Sequence, residues 1–224
     1  ANTNQGNINI GTGSTLQVGV GDALVLNTNT SFAGSLGTFG IAGGSVDVAA
    51  LVDLSAAAMV LNLNSGGLLS NAQNLTIPNT FNIGTATLSG PGLFTTPAGS
   101  ITTMDDPTIT NLAWLNQGIV NWIPINTSTS DFTLNTATFT NQGTLLLQNL
   151  NAGSTVFTAG GGTLINDVTG IINANPTTNL TISTVFTNNA TTGFFNTLSG
   201  TTQLNNAANT NQGNINIGTG STLQ

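Results

Sequence analysis

The sequence predicts an all-β protein, a parallel β-solenoid, and three observations lead to that fold class. Short runs rich in Val, Ile, Leu, Phe and Thr alternate with Gly, Asn, Asp and Pro along most of the 224 residues. A short motif recurs every ~22–25 residues, the length of one solenoid turn. Residues 1–17, ANTNQGNINIGTGSTLQ, return letter for letter as residues 208–224. We expect about nine turns of 20–27 residues in each unit of 207 residues.

The recurring motif is Asn-Gln-Gly followed by a short β-type run. It begins at Asn4, Asn116, Asn141 and Asn211, and degenerate copies begin at Asn166 and Asn188. We interpret these motifs as corners, where Asn can take left-handed backbone geometry and can bond to the Asn one turn above and below. Gly serves the same corners without steric cost. The predicted corner positions are Asn4, Gly6, Asn116, Gly118, Asn141, Gly143, Asn166, Gly170, Asn211 and Gly213.

The long repeat divides the chain into one solenoid unit, residues 1–207, and the start of an identical unit, residues 208–224. A solenoid copy must begin at the angular position where the last one ended. We therefore expect residues 1–207 to hold close to a whole number of turns. Nine turns spaced by ~4.8 Å predict a rise of ~43 Å per unit.

Helix signals are weak, because no apolar stripe of period 3.6 persists and Glu, Lys and Arg are missing altogether. The exception is the segment of residues 48–59, VAALVDLSAAAM, whose composition permits a short helix.

The charge inventory excludes several functions. The chain has no Lys, Arg or His, and its seven acidic residues, all Asp, leave a net charge of −7. Without cations it cannot neutralise nucleic-acid phosphates or anchor electrostatically on anionic lipid. No apolar run approaches the ~20 residues that span a bilayer, so we expect no membrane insertion. The lack of Cys excludes disulfides and thiolate metal sites.

Catalysis is chemically disfavoured, and we predict neither an enzyme nor a cofactor. Without His, Cys or Lys, most nucleophilic and acid–base arrangements cannot be built. The only adjacent carboxylates are Asp105 and Asp106, and the following Pro107 favours a solvated turn. Calcium binding by Asp105 and Asp106 is the alternative to that structural interpretation.

Two further features have alternative interpretations. Trp114 and Trp122 flank one Asn-Gln-Gly motif; exposed rings could stack on glycans, whereas buried rings would cap a wide turn, which we favour. Paired Thr at alternate positions could form an ice-binding array if stacked on one flat face. Their unequal spacings along the chain argue against stacking and for ordinary solvent-facing strands. These pairs are Thr85/Thr87, Thr108/Thr110, Thr127/Thr129 and Thr136/Thr138.

Residues 139–147, FTNQGTLLL, resemble the repeats of bacterial secreted β-helix proteins, namely filamentous haemagglutinin-like adhesins and autotransporter passengers. The resemblance extends over most of the chain. It implies a right-handed parallel β-helix, export, and display on the cell surface. The chain differs from that group in lacking every cation and in carrying an identical copy of its first segment far along the sequence.

These observations predict a non-enzymatic structural subunit of an extracellular filament or surface fibre. The expected partners are copies of the same unit, joined end to end by a peptide bond or by a non-covalent interface. The alternative is an adhesin module that recognises a glycan or another cell-surface partner, and ice binding is a more remote one.

Overall fold

The fold is seen in a computed structural model that describes residues 1–33, 35–55, 58–124, 131–148, 154–156 and 161–224. The described residues form thirty-one short strands and no helix. The predicted all-β parallel solenoid is therefore confirmed.

The strands follow one another in chain order, three to a turn. The first four turns contain β1 (Asn2–Asn4), β2 (Asn7–Asn9), β3 (Thr15–Val18), β4 (Ala23–Leu26), β5 (Ser31–Ala33), β6 (Ser35–Ile41), β7 (Ser45–Val48), β8 (Val52–Asp53), β9 (Ala58–Leu63), β10 (Leu68–Asn71), β11 (Leu75–Thr76) and β12 (Thr80–Ile83). The next three contain β13 (Thr87–Ser89), β14 (Leu93–Thr96), β15 (Ile101–Met104), β16 (Thr108–Thr110), β17 (Ala113–Asn116), β18 (Ile119–Trp122), β19 (Asp131–Asn135), β20 (Thr138–Asn141) and β21 (Thr144–Gln148). The remaining strands are β22 (Ser154–Val156), β23 (Thr163–Asn166), β24 (Ile171–Asn175), β25 (Asn179–Ile182), β26 (Val185–Asn188), β27 (Phe194–Thr197), β28 (Thr201–Leu204), β29 (Thr210–Asn211), β30 (Ile215–Ile217) and β31 (Thr222–Leu223).

Every third strand belongs to the same face of the solenoid. The first face is an eleven-stranded sheet that runs from β1 and β4 to β28 and β31. The third face is a ten-stranded sheet from β3 to β30, and the second face holds the pair β2–β5 followed by an eight-stranded sheet from β8 to β29. Within each sheet, every strand pairs in parallel with its neighbours one turn away, as β17 does with β20. The predicted nine turns per unit agree with this arrangement.

The length of a turn varies along the chain. One turn runs from Ile101 to its partner Ile119, whereas another runs from Thr144 to its partner Ile171 and is half as long again. The first of these turns is shorter than the predicted range allowed, so that range was slightly too narrow. The variation is absorbed mainly at the corners, because the paired strands stay in register apart from a shift between Ser35 and Thr38 where β6 pairs with β9.

The core is formed by alternate residues of each strand, as expected for a period of two. In β20 the side chains of Phe139 and Asn141 are buried and those of Thr138 and Thr140 are half-buried. Aromatic rings stack from turn to turn on the second face, where Trp114 lies between Phe94 and Phe139 at centroid distances of 5.1 and 5.0 Å. The interior is thus a continuous apolar column and not a set of separate cores.

The short helix allowed by residues 48–59 does not form in the described part of that segment. Val52–Asp53 is strand β8, and Ala58–Leu63 is strand β9, with Met59, Leu61 and Leu63 buried. Parallel pairing of β9 with β6 and β12 satisfies its backbone groups. Burial of alternate side chains between two neighbouring strands outweighs the helix propensity of the Ala-rich composition.

Candidate functional site

A column of Asn side chains, buried except at its last member, runs along the corner between the second and third faces. Each member ends a strand of the second face, and the Nδ2 of each member but the last donates to the Oδ1 of the next Asn at 2.7–2.9 Å. The same Nδ2 also donates to a backbone carbonyl one turn on, as Asn141 does to Ile171 at 3.1 Å. The expected ladder is therefore present, and it satisfies the buried amides. Its members are Asn116, Asn141, Asn166, Asn188 and Asn211.

The ladder does not depend on left-handed backbone geometry. Among the described non-Gly residues, a positive φ occurs at Asn29, Asn111 and Thr136, and at none of the ladder positions. Asn29 and Asn111 therefore use the left-handed geometry that we allowed for Asn, and the ladder Asn do not. The inward side chain stays in line with its strand and bonds along the solenoid axis, which extended geometry allows.

Gly is required beside the ladder because backbones of successive turns approach closely there. A Cβ on Gly143 would lie 2.2 Å from the carbonyl oxygen of Gly118, and one on Gly193 would lie 2.1 Å from that of Gly170. A Cβ on Gly170 would meet the Asn141 carbonyl at 2.2 Å. These Gly residues have no positive φ, so close packing and not conformational freedom explains them.

Replacement of Gly143 by Ala should therefore destabilise the solenoid by about 2 kcal/mol, since backbone atoms of two turns must separate. Urea unfolding followed by circular dichroism measures the change. Gly6→Ala is the matched control, because a Cβ on Gly6 meets no atom within 4 Å. Equal stability of the two variants would contradict the close-packing explanation.

The two copies of the repeated segment occupy different faces. In the first copy Asn4 ends β1 on the first face, whereas the equivalent Asn211 ends β29 on the second face. The later strands are displaced in the same direction, because β3 lies on the third face and β31 on the first. The expected whole number of turns is therefore wrong: residues 1–207 correspond to nine turns and one further face. Asn4 consequently lies outside the ladder that Asn211 ends.

The segment nevertheless keeps its local conformation in both places. Nδ2 of Asn4 donates to the Gly6 carbonyl at 2.7 Å, and Nδ2 of Asn211 donates to the Gly213 carbonyl at 3.3 Å. The following tight turns match, with backbone bonds Ser14 to Gly11 and Ser221 to Gly218 of 2.9 and 3.0 Å. The turn glycines Gly13 and Gly220 have φ values of 72° and 79°. The segment thus folds in the same way irrespective of the face on which it lies.

The two copies differ in what covers them. Ile10 is 6% exposed, because Gly37 of the following turn lies directly on it, and a Cβ there would be 2.4 Å from Ile10 Cγ2. The equivalent Ile217 is 56% exposed. Ile217 lies in β30 beside Thr197, a buried residue of β27, so its exposed surface is the open end of the core.

Both Trp side chains belong to the core, as we favoured. Trp114 is 1% exposed and its Nε1 donates to Thr96 Oγ1 at 2.8 Å, while Trp122 is fully buried and donates to the Asp105 carbonyl. Glycan contact through Trp114 or Trp122 needs an exposed ring, and neither indole offers one in this structure.

One Thr from each of two pairs stacks. Thr87 and Thr108 are direct neighbours on the first face, and Thr133 extends the column. Their pair partners do not stack, because Thr85 lies before β13 and Thr110 pairs with Ser89 and Asn135. Thr138 lies on the second face, in β20. Thr127 and Thr129 lie outside the described residues.

The acidic pair lies at the corner between β15 and β16. The pKa of Asp106 is raised to about 6, chiefly by burial and also by the negative charges of Asp105 and Asp131, against a backbone hydrogen bond from Asp131 that lowers it. Oδ1 of Asp106 is buried without a hydrogen-bond partner. Among the described residues, no group of three or more His, Cys, Asp or Glu side chains is placed to hold a metal ion.

Asp106 should make stability depend on pH. Because its pKa is higher in the folded protein than in the unfolded chain, its contribution is most favourable below pH ~4 and is lost as the pH rises to ~6. We expect Asp106→Asn to gain about 1 kcal/mol at pH 7, after allowance for solvent screening, and little at pH 4. Urea unfolding at both pH values measures this, with Asp22→Asn as a control of equal charge change. A gain that is the same at both pH values would contradict it.

The fold and the ladder define the chain as a parallel β-solenoid with an asparagine corner. Comparison with protein-family models, with curated proteins and with solved structures finds no match. In the described part of the chain, no helix is long and apolar enough to cross a membrane.

Proposed function

We propose that the chain is one unit, residues 1–207, and the start of the next in a tandem β-solenoid that forms an extracellular filament or surface fibre. The observation that carries the proposal is the pair of identical segments at opposite ends of one continuous solenoid. Each segment has the same turns and the same strand order. The second segment, residues 208–224, therefore corresponds to the first turn of another unit, and it continues the solenoid of the first.

The exposed core at Ile217 supports this proposal. In the first copy, the turn formed by β4, β5 and β6 covers the equivalent Ile10. Residues 208–224 carry the same strand edges, so the same turn of a following copy would fit them without new contacts.

The composition supports an extracellular, non-enzymatic role. A chain without Lys and Arg offers trypsin-like proteases no cleavage site. Stacked turns also place equivalent side chains about 4.8 Å apart, where Asn and Gln can bond to each other and like charges would repel. The outward amides of Asn196 and Asn216 do so at 2.9 Å. The resemblance of residues 139–147 to secreted β-helix repeats is consistent with surface display. No observation favours the glycan-binding or ice-binding alternative over this structural role.

The test is the native assembly itself. Nine turns and one face predict an axial spacing of about 45 Å in fibre diffraction or electron microscopy. Intact mass under denaturing conditions then separates the two modes of joining. A mass of many units indicates a covalent array, whereas a mass near 22.5 kDa, with a spacing of about 50 Å for the 31 described strands of this chain, indicates non-covalent stacking. Absence of fibres with a spacing of about 45 or 50 Å would refute the proposal.

A further inference from the structure

The second copy of the repeated segment lies one face further round the solenoid than the first, and this displacement determines how units join. We infer that successive units in the array are related by a rotation of one face about the solenoid axis, so that the second face of one unit continues into the first face of the next. This inference rests on the proposed tandem array. It identifies the surface that receives the next copy and the orientation of that copy.

The receiving surface is the open edge of β29, β30 and β31. On their other edges these strands pair with β26, β27 and β28, respectively. They repeat the sequence of β1, β2 and β3, which pair with β4, β5 and β6. The partner that fits this edge is therefore the turn of residues 18–41 from a following copy, in the register already seen at the other end.

Side-chain contacts at the first copy show what the junction would contain. Nδ2 of Asn4 donates to Thr30 Oγ1 at 3.3 Å, and Thr30 Oγ1 donates to the Asn4 carbonyl at 2.9 Å. At the junction Asn211 takes the place of Asn4, so Thr30 of the next copy would extend the Asn ladder by one position. Gly37 of that copy would cover Ile217, as Gly37 covers Ile10 within the unit.

The rotation follows from strand positions. β29 lies on the second face, but the strand that fits its open edge is β4 of the next copy, which belongs to the first face within its own unit. Every later strand of that copy is displaced likewise. Three such steps restore the original orientation, so the array repeats fully after three units, about 135 Å at the strand spacing of a β-sheet.

Cysteine cross-linking in a chain of two in-frame units tests the orientation, since the native sequence has no Cys. Thr187 pairs with Thr210, and Thr3, the equivalent of Thr210, pairs with Val25. Thr187→Cys in the first copy should therefore lie about 10 Å, two strand spacings, from Val25→Cys in the second. A junction without rotation would instead put that Val25 over Gln203 on the first face.

The expected result is that a bismaleimide of about 10 Å reach links Thr187→Cys to Val25→Cys of the second copy at least tenfold more than it links Gln203→Cys to the same site. Thr140→Cys with Thr187→Cys is the positive control, because Ile165 separates these two residues in one column. Preferential linkage from position 203 would overturn the rotation while leaving a filament of about 45 Å spacing intact. Linkage from neither position would overturn it as well. Absence of the axial spacing would instead contradict the proposed filament and would not by itself bear on the rotation.

Discussion

Replacement of Trp114 by Ala should lower the free energy of unfolding by about 5 kcal/mol. The indole is buried between Phe94 and Phe139, so its removal opens a cavity in a column whose rings touch from turn to turn. It also leaves the hydroxyl of Thr96, itself fully buried, without the indole donor. Chemical unfolding followed by circular dichroism measures the loss.

Trp114→Phe separates the two contributions. Phe keeps most of the ring contact and removes the donor, so we expect a loss of about 1–2 kcal/mol. Solenoid turns are stabilised mainly by their neighbours, so in both variants exchange of the backbone amide hydrogens should rise first in β14, β17 and β20. An Ala variant as stable as the Phe variant would show that the ring contacts contribute little.

Replacement of Asn141 by Ala should cost about 3 kcal/mol. The Asn141 side chain is fully buried, accepts from Asn116 and donates to Asn166 and to the Ile171 carbonyl. Ala leaves these groups without their partner at positions that water does not reach. Urea unfolding at pH 7 measures the effect. Asn196→Ala, which removes a half-buried outward amide, is the control and should cost less than about 1 kcal/mol.

Asn141→Asp sharpens this prediction. At pH 7 a carboxylate cannot donate to Asn166 or Ile171, and the chain contains no side-chain cation to pair with it. Burial raises the pKa of the new carboxyl in the folded state, so the loss should exceed that of Ala at pH 7 and shrink towards pH 4, as the carboxyl protonates. The Ala variant should show no such pH dependence. If both variants follow the same pH profile, position 141 is not buried in an amide ladder.

The ladder could be predicted from the sequence because its signal is local. Asn116, Asn141 and Asn166 recur at equal intervals, and a buried amide needs a partner. The close approach of Gly143 to Gly118 could not be predicted, since it depends on the distance between backbones one turn apart. Burial of the Trp rings was favoured over exposure, and in the structure both rings occupy inward positions of β17 and β18.

The face of the solenoid on which a residue lies could not be predicted, because its distance along the sequence does not give its rotation about the solenoid axis. The short turn that begins at Ile101 and the long turn that begins at Thr144 both carry three strands, so equal spacing in sequence is not equal rotation about the axis. Asn4 and Asn116 therefore share a motif but end strands on different faces.

The variable length of a turn also explains the positions of the paired Thr residues. Unequal spacing along the chain does not separate Thr residues onto different faces, because the length of a turn varies. Thr87 and Thr108 are direct neighbours, since the turn between them is one of the shorter ones and still completes all three faces.

The displacement of the repeated segment by one strand bears on how such a gene could lengthen. A repeat of this fold needs to contain a whole number of strands. Each strand with its corner is the smallest piece that keeps the backbone hydrogen bonds between successive turns. The repeat does not need to be a whole number of turns, since the repeated segment keeps its tight turn on either face. The length of the sequence repeat therefore need not be a whole number of solenoid turns.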